Sequence, residues 1–125
     1  MAVVRAVYKG INMDIIANFI NGQYHAPLGE NYLDNIEPAT GLVYGKIPDS
    51  EKADVELAVV AAKKALPAWQ AMPLEQRADM LSAIAQEIEA RIDELAMAEA
   101  IDNGKPVSLA RAVDIPRAAS NFKFF

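Results

Sequence analysis

Two turn signals followed by a change of hydrophobic period constrain this chain more than anything else in it. Phe19-Ile20-Asn21-Gly22-Gln23-Tyr24 places Asn-Gly between apolar residues. A two-residue type I′ turn needs φ > 0 at both central positions, which Asn and Gly tolerate, so the segment reads as a β-hairpin. A second strand pair, 33–36 with 42–47, flanks Pro38-Ala39-Thr40-Gly41. Pro38 presets φ at the entry of that turn and Gly41 supplies a left-handed exit.

Beyond Asp49-Ser50, either of which can cap a helix, the period lengthens from two to about 3.6. Val55, Ala58, Val59, Ala62 and Leu66 then recur on one face, and Pro67 is expected to end that helix. Pro73 opens the next one, where its missing N–H costs nothing. Its expected buried stripe is Ala78, Leu81, Ile84, Ala85, Ile88 and Ile92, continued by Leu95, Ala96 and Ala100 after a break near Asp93. Asn103-Gly104 supplies a left-handed cap. A last helix is expected over 115–125, with Pro116 in its first turn. That helix ends on Phe122-Lys123-Phe124-Phe125 without a cap, which reads as the interruption of a longer chain.

Residues 1–17 show no clear period and read either as an amino-terminal extension or as an ordinary first strand. The 125 residues suffice for one domain, and 53% hydrophobic with 23% charged residues is a globular composition. A net charge of −5 repels phosphate backbones, and Lys63-Lys64 is the only adjacent basic pair. Nucleic-acid binding is therefore not expected. No segment approaches a membrane span. Cysteine is absent, which removes disulfides and thiolate chemistry from these residues and suits the cytoplasm.

Side chains with chemical potential are few. His25 is the single histidine, so a zinc site is not expected and an exposed ring is. Gly104-Lys105 does not make a phosphate loop, because Glu99 and Pro106 occupy the positions of the required glycine and hydroxyl. Gly104 reads instead as a helix cap and Lys105 as a cation near helix carbonyls. Glu87, Glu89, Asp93, Glu94, Glu99 and Asp102 read as a solvated face. Trp69, Tyr24, Tyr32 and the three terminal phenylalanines read as core or interface packing.

In order, these elements resemble the amino-terminal part of NAD(P)-dependent aldehyde dehydrogenases: hairpin, Pro-Ala-Thr-Gly turn, helix ending near Trp69, long helix, Asn-Gly-Lys-Pro and final helix. Val113-Asp114-Ile115-Pro116-Arg117 and Asn121-Phe122-Lys123-Phe124-Phe125 look most like the branch that oxidises hydroxymuconic or aminomuconic semialdehydes. The resemblance implies an α/β fold. Residues 18–125 would form the first part of a Rossmann-like cofactor-binding domain, incomplete in this chain, with 1–17 as its extension. It also implies a homo-oligomeric enzyme in which a cysteine thiolate attacks the aldehyde, a hydride passes to NAD or NADP, and a glutamate-activated water releases the acid. None of those roles maps onto a residue here. Catalytic and cofactor-binding residues are expected to be absent, and the chain alone to be inactive.

One site does carry over from the resemblance. In some members an aspartate matching Asp114 binds K⁺ or Na⁺ with two backbone carbonyls, which here would belong to Asn35 and Ile36. Oxygen ligands suit such hard cations. The alternative is that Asp114 caps the helix beginning at Ile115-Pro116. The expected partners are the remainder of such an enzyme or a second copy of the chain. A stand-alone, non-catalytic α+β interaction module is the rival reading.

Overall fold

The computed structural model describes residues 4–8 and 11–125. Within them the chain falls into two compact units, Met1–Ile36 with Gly41–Pro67, and Glu37–Thr40 with Ala68–Phe125.

The first unit holds the strands. β3 (Asn18–Ile20) and β4 (Gln23–His25) form the expected hairpin. Its turn has φ of 53° at Asn21 and 77° at Gly22, the positive pair that a type I′ turn demands. Phe19 and Tyr24 sit opposite each other, with ring centroids 4.9 Å apart. The other strands are β1 (Val4–Tyr8), β2 (Ile11–Ile15), β5 (Tyr32–Glu37) and β6 (Leu42–Pro48), in the order β1-β2-β6-β5. Of the expected extension, Met1, Ala2, Val3, Lys9 and Gly10 lie outside the described residues. The rest contributes two strands that pair antiparallel, Val4 opposite Ile15 and Tyr8 opposite Ile11.

β2 then joins β6 in parallel, with Asp14 opposite Gly45 and Ile15 opposite Lys46. The approach is close enough to explain the glycine. A Cβ on Gly45 would lie 2.8 Å from the Asp14 carbonyl oxygen.

α1 (Lys52–Ala71) departs from expectation in three ways. It runs through Pro67 instead of ending there. The proline withdraws one N–H from the ladder, on an exposed stretch where water can take the freed acceptor. Its expected apolar stripe is uncovered: Val55, Val59 and Leu66 are exposed, and Asp54 is the helix's buried residue. Lastly, the cap comes neither from Asp49 nor from Ser50. The helix starts late enough that Ser50 precedes the cap position, and its hydroxyl bonds the Asn18 side chain at 2.8 Å instead.

The second unit is helical: α2 (Leu74–Ala90), α3 (Ile92–Asn103), α4 (Val107–Leu109), a π turn (Ala110–Asp114) and α5 (Ile115–Phe124). The break between α2 and α3 falls at Arg91, two residues before Asp93, where φ is −115° and ψ is 25°. Ala85, Ala96, Ala100, Ala110 and Ala119 are the buried apolar residues, so helices meet through small side chains that permit close approach. α2 packs chiefly on α5. Leu81, Ile88, Ile92 and Leu95 are half-buried, whereas Ala78 and Ile84 of the expected stripe are exposed.

The last helical run begins earlier than its Pro116 suggests. Proline cannot donate to the Ala112 carbonyl, and an α-turn would press its ring on that oxygen. The chain widens instead, and the Ile115 N–H reaches the Ala110 carbonyl five residues back.

Candidate functional site

In the first unit, polar geometry centres on Asp54, which is only 4% exposed. It stands three residues after Glu51, the residue that precedes α1. Its Oδ2 accepts the Glu51 N–H at 2.9 Å, the returning half of a capping box. Oδ1 accepts the Leu28 N–H, also at 2.9 Å. The Leu28 N–H foremost, then the Glu51 N–H, hold this carboxyl below its ordinary value, against the opposing pull of burial. Pro27, next to Leu28, is fully buried.

Two cavities of the same unit meet at Asp54. One of about 190 Å³ lies among Asn18, Phe19, Ser50, Val55 and Ala58. The other, about 380 Å³, is lined by Ile20, His25, Leu28, Leu57, Val60 and Lys64. Both Asp54 oxygens are engaged by backbone N–H groups. The carboxylate therefore serves the chain and is poorly placed to act as a base.

In the second unit the counterpart is the turn after α3. Gly104 is left-handed, φ 78°, and its N–H closes α3 on the Ala100 carbonyl at 2.9 Å, as its cap role requires. A Cβ there would come within 3.0 Å of the Pro38 ring. The Asn103 side chain accepts the Lys105 N–H at 2.9 Å and donates to Glu99 at 2.6 Å. The Lys105 ammonium, read from the sequence as a cation near helix carbonyls, is engaged by two carboxylates. It donates to Asp114 Oδ2 at 2.7 Å and pairs with Glu99 Oε1 at 3.1 Å. Asp114 foremost, then Glu99, raise the Lys105 pKa above its ordinary value.

The cap reading of Asp114 is corrected by the same geometry. Its φ of −69° and ψ of −49° are helical, and its side chain caps nothing, because the helical run has already begun at Val107. Asn35 and Ile36 lie in β5 of the first unit and Asp114 in the second. The Asn35 side chain donates to the Tyr44 hydroxyl at 2.8 Å. Among the described residues no group of three or more His, Cys, Asp or Glu is disposed to hold a metal ion.

The helical carboxylates form surface pairs, in keeping with a solvated face. Arg91 grips Glu94, with its Nε 2.9 Å from Oε2; Arg111 meets Asp93 at 2.8 Å and Lys123 meets Glu89 at 2.6 Å. His25 is exposed, as expected. The aromatics are not a core: Tyr24, Trp69, Phe122, Phe124 and Phe125 all lie at the surface. A dinucleotide does not fit the turn at Gly104 either. Its N–H is spent on Ala100, its lysine on two carboxylates, and no second glycine precedes it at phosphate-loop spacing.

The sequence places Asp54 in the first turn of α1 but does not show its capping and loop-anchoring role, nor the Lys105 cluster, for different reasons. Asp54 left a local trace, a carboxylate three positions past the residue whose N–H it takes. Lys105 and Asp114 are nine residues apart, which no local rule connects.

Comparison with known proteins fits this architecture. Residues 25–125 match the aldehyde dehydrogenase family. The chain is 43% identical over 111 residues to the 2-aminomuconic semialdehyde dehydrogenase of Mus musculus, covering 89% of itself and 22% of that enzyme. To the 2-hydroxymuconic semialdehyde dehydrogenase of Pseudomonas sp. (strain CF600) it is 41% identical over 114 residues, covering 90% of itself and 24% of the relative. Among solved structures, PnpE in complex with nicotinamide adenine dinucleotide superposes with a TM-score of 0.85 at 35% identity, over 87% of this chain and 22% of that one. The chain belongs to the aldehyde dehydrogenase family. It spans less than a quarter of the length of these two semialdehyde dehydrogenases.

Proposed function

We propose that the protein to which these residues belong oxidises an aldehyde to a carboxylic acid with NAD⁺, and that its substrate is a semialdehyde from the breakdown of aromatic compounds. The observation carrying this is the 43% identity to an aminomuconic semialdehyde dehydrogenase along nearly the whole chain. NAD⁺ supplies the hydride acceptor. No step of the oxidation is assigned to residues 1–125, since they hold neither a thiol nor a fitting dinucleotide turn. Their role is scaffold. The two units contribute sheet and helices around which reacting groups from elsewhere in the enzyme are placed. Exposed Val55, Leu57, Val60 and Trp69 on α1 support a covering partner, either the rest of that enzyme or a second copy. We place the protein in the cytoplasm, where a cysteine-free segment needs no oxidative folding.

The test is an assay of the full gene product with NAD⁺ against 2-hydroxymuconic semialdehyde and a long-chain aldehyde. NADH formation with a higher kcat/KM for the semialdehyde is the expected result. A preference for the long-chain aldehyde overturns the substrate assignment, and no NADH from any aldehyde overturns the activity.

A further inference from the structure

The resemblance assigned a monovalent cation to Asp114, yet the charge facing that carboxylate is already present in the chain. We infer that the Lys105 ammonium is the resident cation of Asp114 and Glu99, and that Asp114 recruits no K⁺ or Na⁺. Three observations converge on this. Lys105 Nζ lies 2.7 Å from Asp114 Oδ2 and 3.1 Å from Glu99 Oε1, so one ammonium bridges two carboxylates that would otherwise repel each other. The lysine is delivered to that point by a fixed backbone, since left-handed Gly104 turns the chain and the Asn103 side chain holds the Lys105 N–H at 2.9 Å. Asn103 also donates to Glu99 at 2.6 Å, which steadies the second carboxylate beside the ammonium.

A free ion competes poorly for such a place. Seating K⁺ on Asp114 Oδ2 would expel a tethered donor and set two cations side by side. It would also exchange directed N–H bonds for contacts without direction, after stripping water from the ion. The cluster therefore acts as a lock. It ties the carboxyl end of α3, through Glu99, to the π turn that carries Asp114.

The experiment compares melting temperatures of the protein in KCl, NaCl and choline chloride at equal ionic strength, for wild type, Asp114→Asn and Lys105→Met. Wild type is expected to melt at the same temperature in all three salts. Lys105→Met is expected to melt lower, because it leaves the two carboxylates uncompensated. A rise in KCl or NaCl over choline in wild type that Asp114→Asn abolishes overturns the inference. Nitrogen-detected NMR of the wild-type lysine side chains keeps the test independent of whether Lys105→Met folds. A Lys105 ammonium signal protected from water exchange, and lost in Asp114→Asn, supports the lock. A freely exchanging Lys105 ammonium overturns it.

Discussion

The backbone N–H of Leu28 donates to the Asp54 carboxylate at 2.9 Å, across 26 residues of sequence. The other oxygen of that carboxylate holds the Glu51 N–H at the start of α1. One side chain thus fixes both the loop after β4 and the first turn of the helix. Replacing it should loosen both. Asp54→Ala is expected to lower the melting temperature, and Asp54→Asn, which keeps one acceptor oxygen, to lower it less. Amide hydrogen exchange should show the Leu28 and Glu51 amides deprotected in Asp54→Ala. Unchanged protection at both sites would contradict the anchoring role.

The same carboxylate makes a pH prediction. Its two N–H partners favour the charged form, so its folded pKa lies below the unfolded value of about 3.9. The stabilisation it brings is present above that unfolded value and is lost as pH falls through the folded one. Thermal melts of wild type and Asp54→Ala should differ most near neutral pH and converge on acidification below about pH 4. A gap that widens in acid would mean that the folded pKa lies above the unfolded one, contrary to the bonding described.

Two glycines are required for different reasons. Gly104→Ala forces an L side chain into φ 78° and toward the Pro38 ring, an expected cost of ~1–2 kcal/mol from the backbone alone. Gly45 is not among the positive-φ glycines, but Gly45→Ala places Cβ 2.8 Å from the Asp14 carbonyl oxygen, which a shift of β2 against β6 must relieve. Denaturant unfolding should rank both below wild type. Circular dichroism should show the loss of strand signal chiefly in Gly45→Ala.

Ala119 of α5 is 1% exposed in a core made of alanines, where no space exists for branching. Ala119→Leu should cost ~1–3 kcal/mol by overpacking. Ala118→Leu, at the neighbouring half-buried position, should be tolerated better. Equal midpoints for the two variants in urea would show that α5 does not pack through Ala119.

What the sequence made legible was local. The Asn21-Gly22 hairpin, the Pro38–Gly41 turn and the Gly104 cap were readable because each depends on dihedrals that a few residue types dictate. The α2–α3 break was readable to within two residues. The parallel pairing of β2 with β6 was not, since nothing between Ile15 and Gly45 announces which distant strand will be its neighbour. Pro67 misled because an exposed helix can lose one hydrogen bond to water and continue. The Val55–Val59–Leu66 stripe has the period of a buried face but no partner among the described residues, so pattern and burial part company there. The Lys105–Asp114 pair depends on the turn after α3 meeting the π turn, which periodicity does not report.

The proposed function makes these residues the scaffold of an aldehyde dehydrogenase and gives them none of its reacting groups. Its most direct test is NADH absorbance from the purified 125-residue chain incubated with NAD⁺ and a muconic semialdehyde. The expected trace is no different from a protein-free blank at any concentration of the chain. An aldehyde-dependent rise that scales with the amount of chain would contradict it.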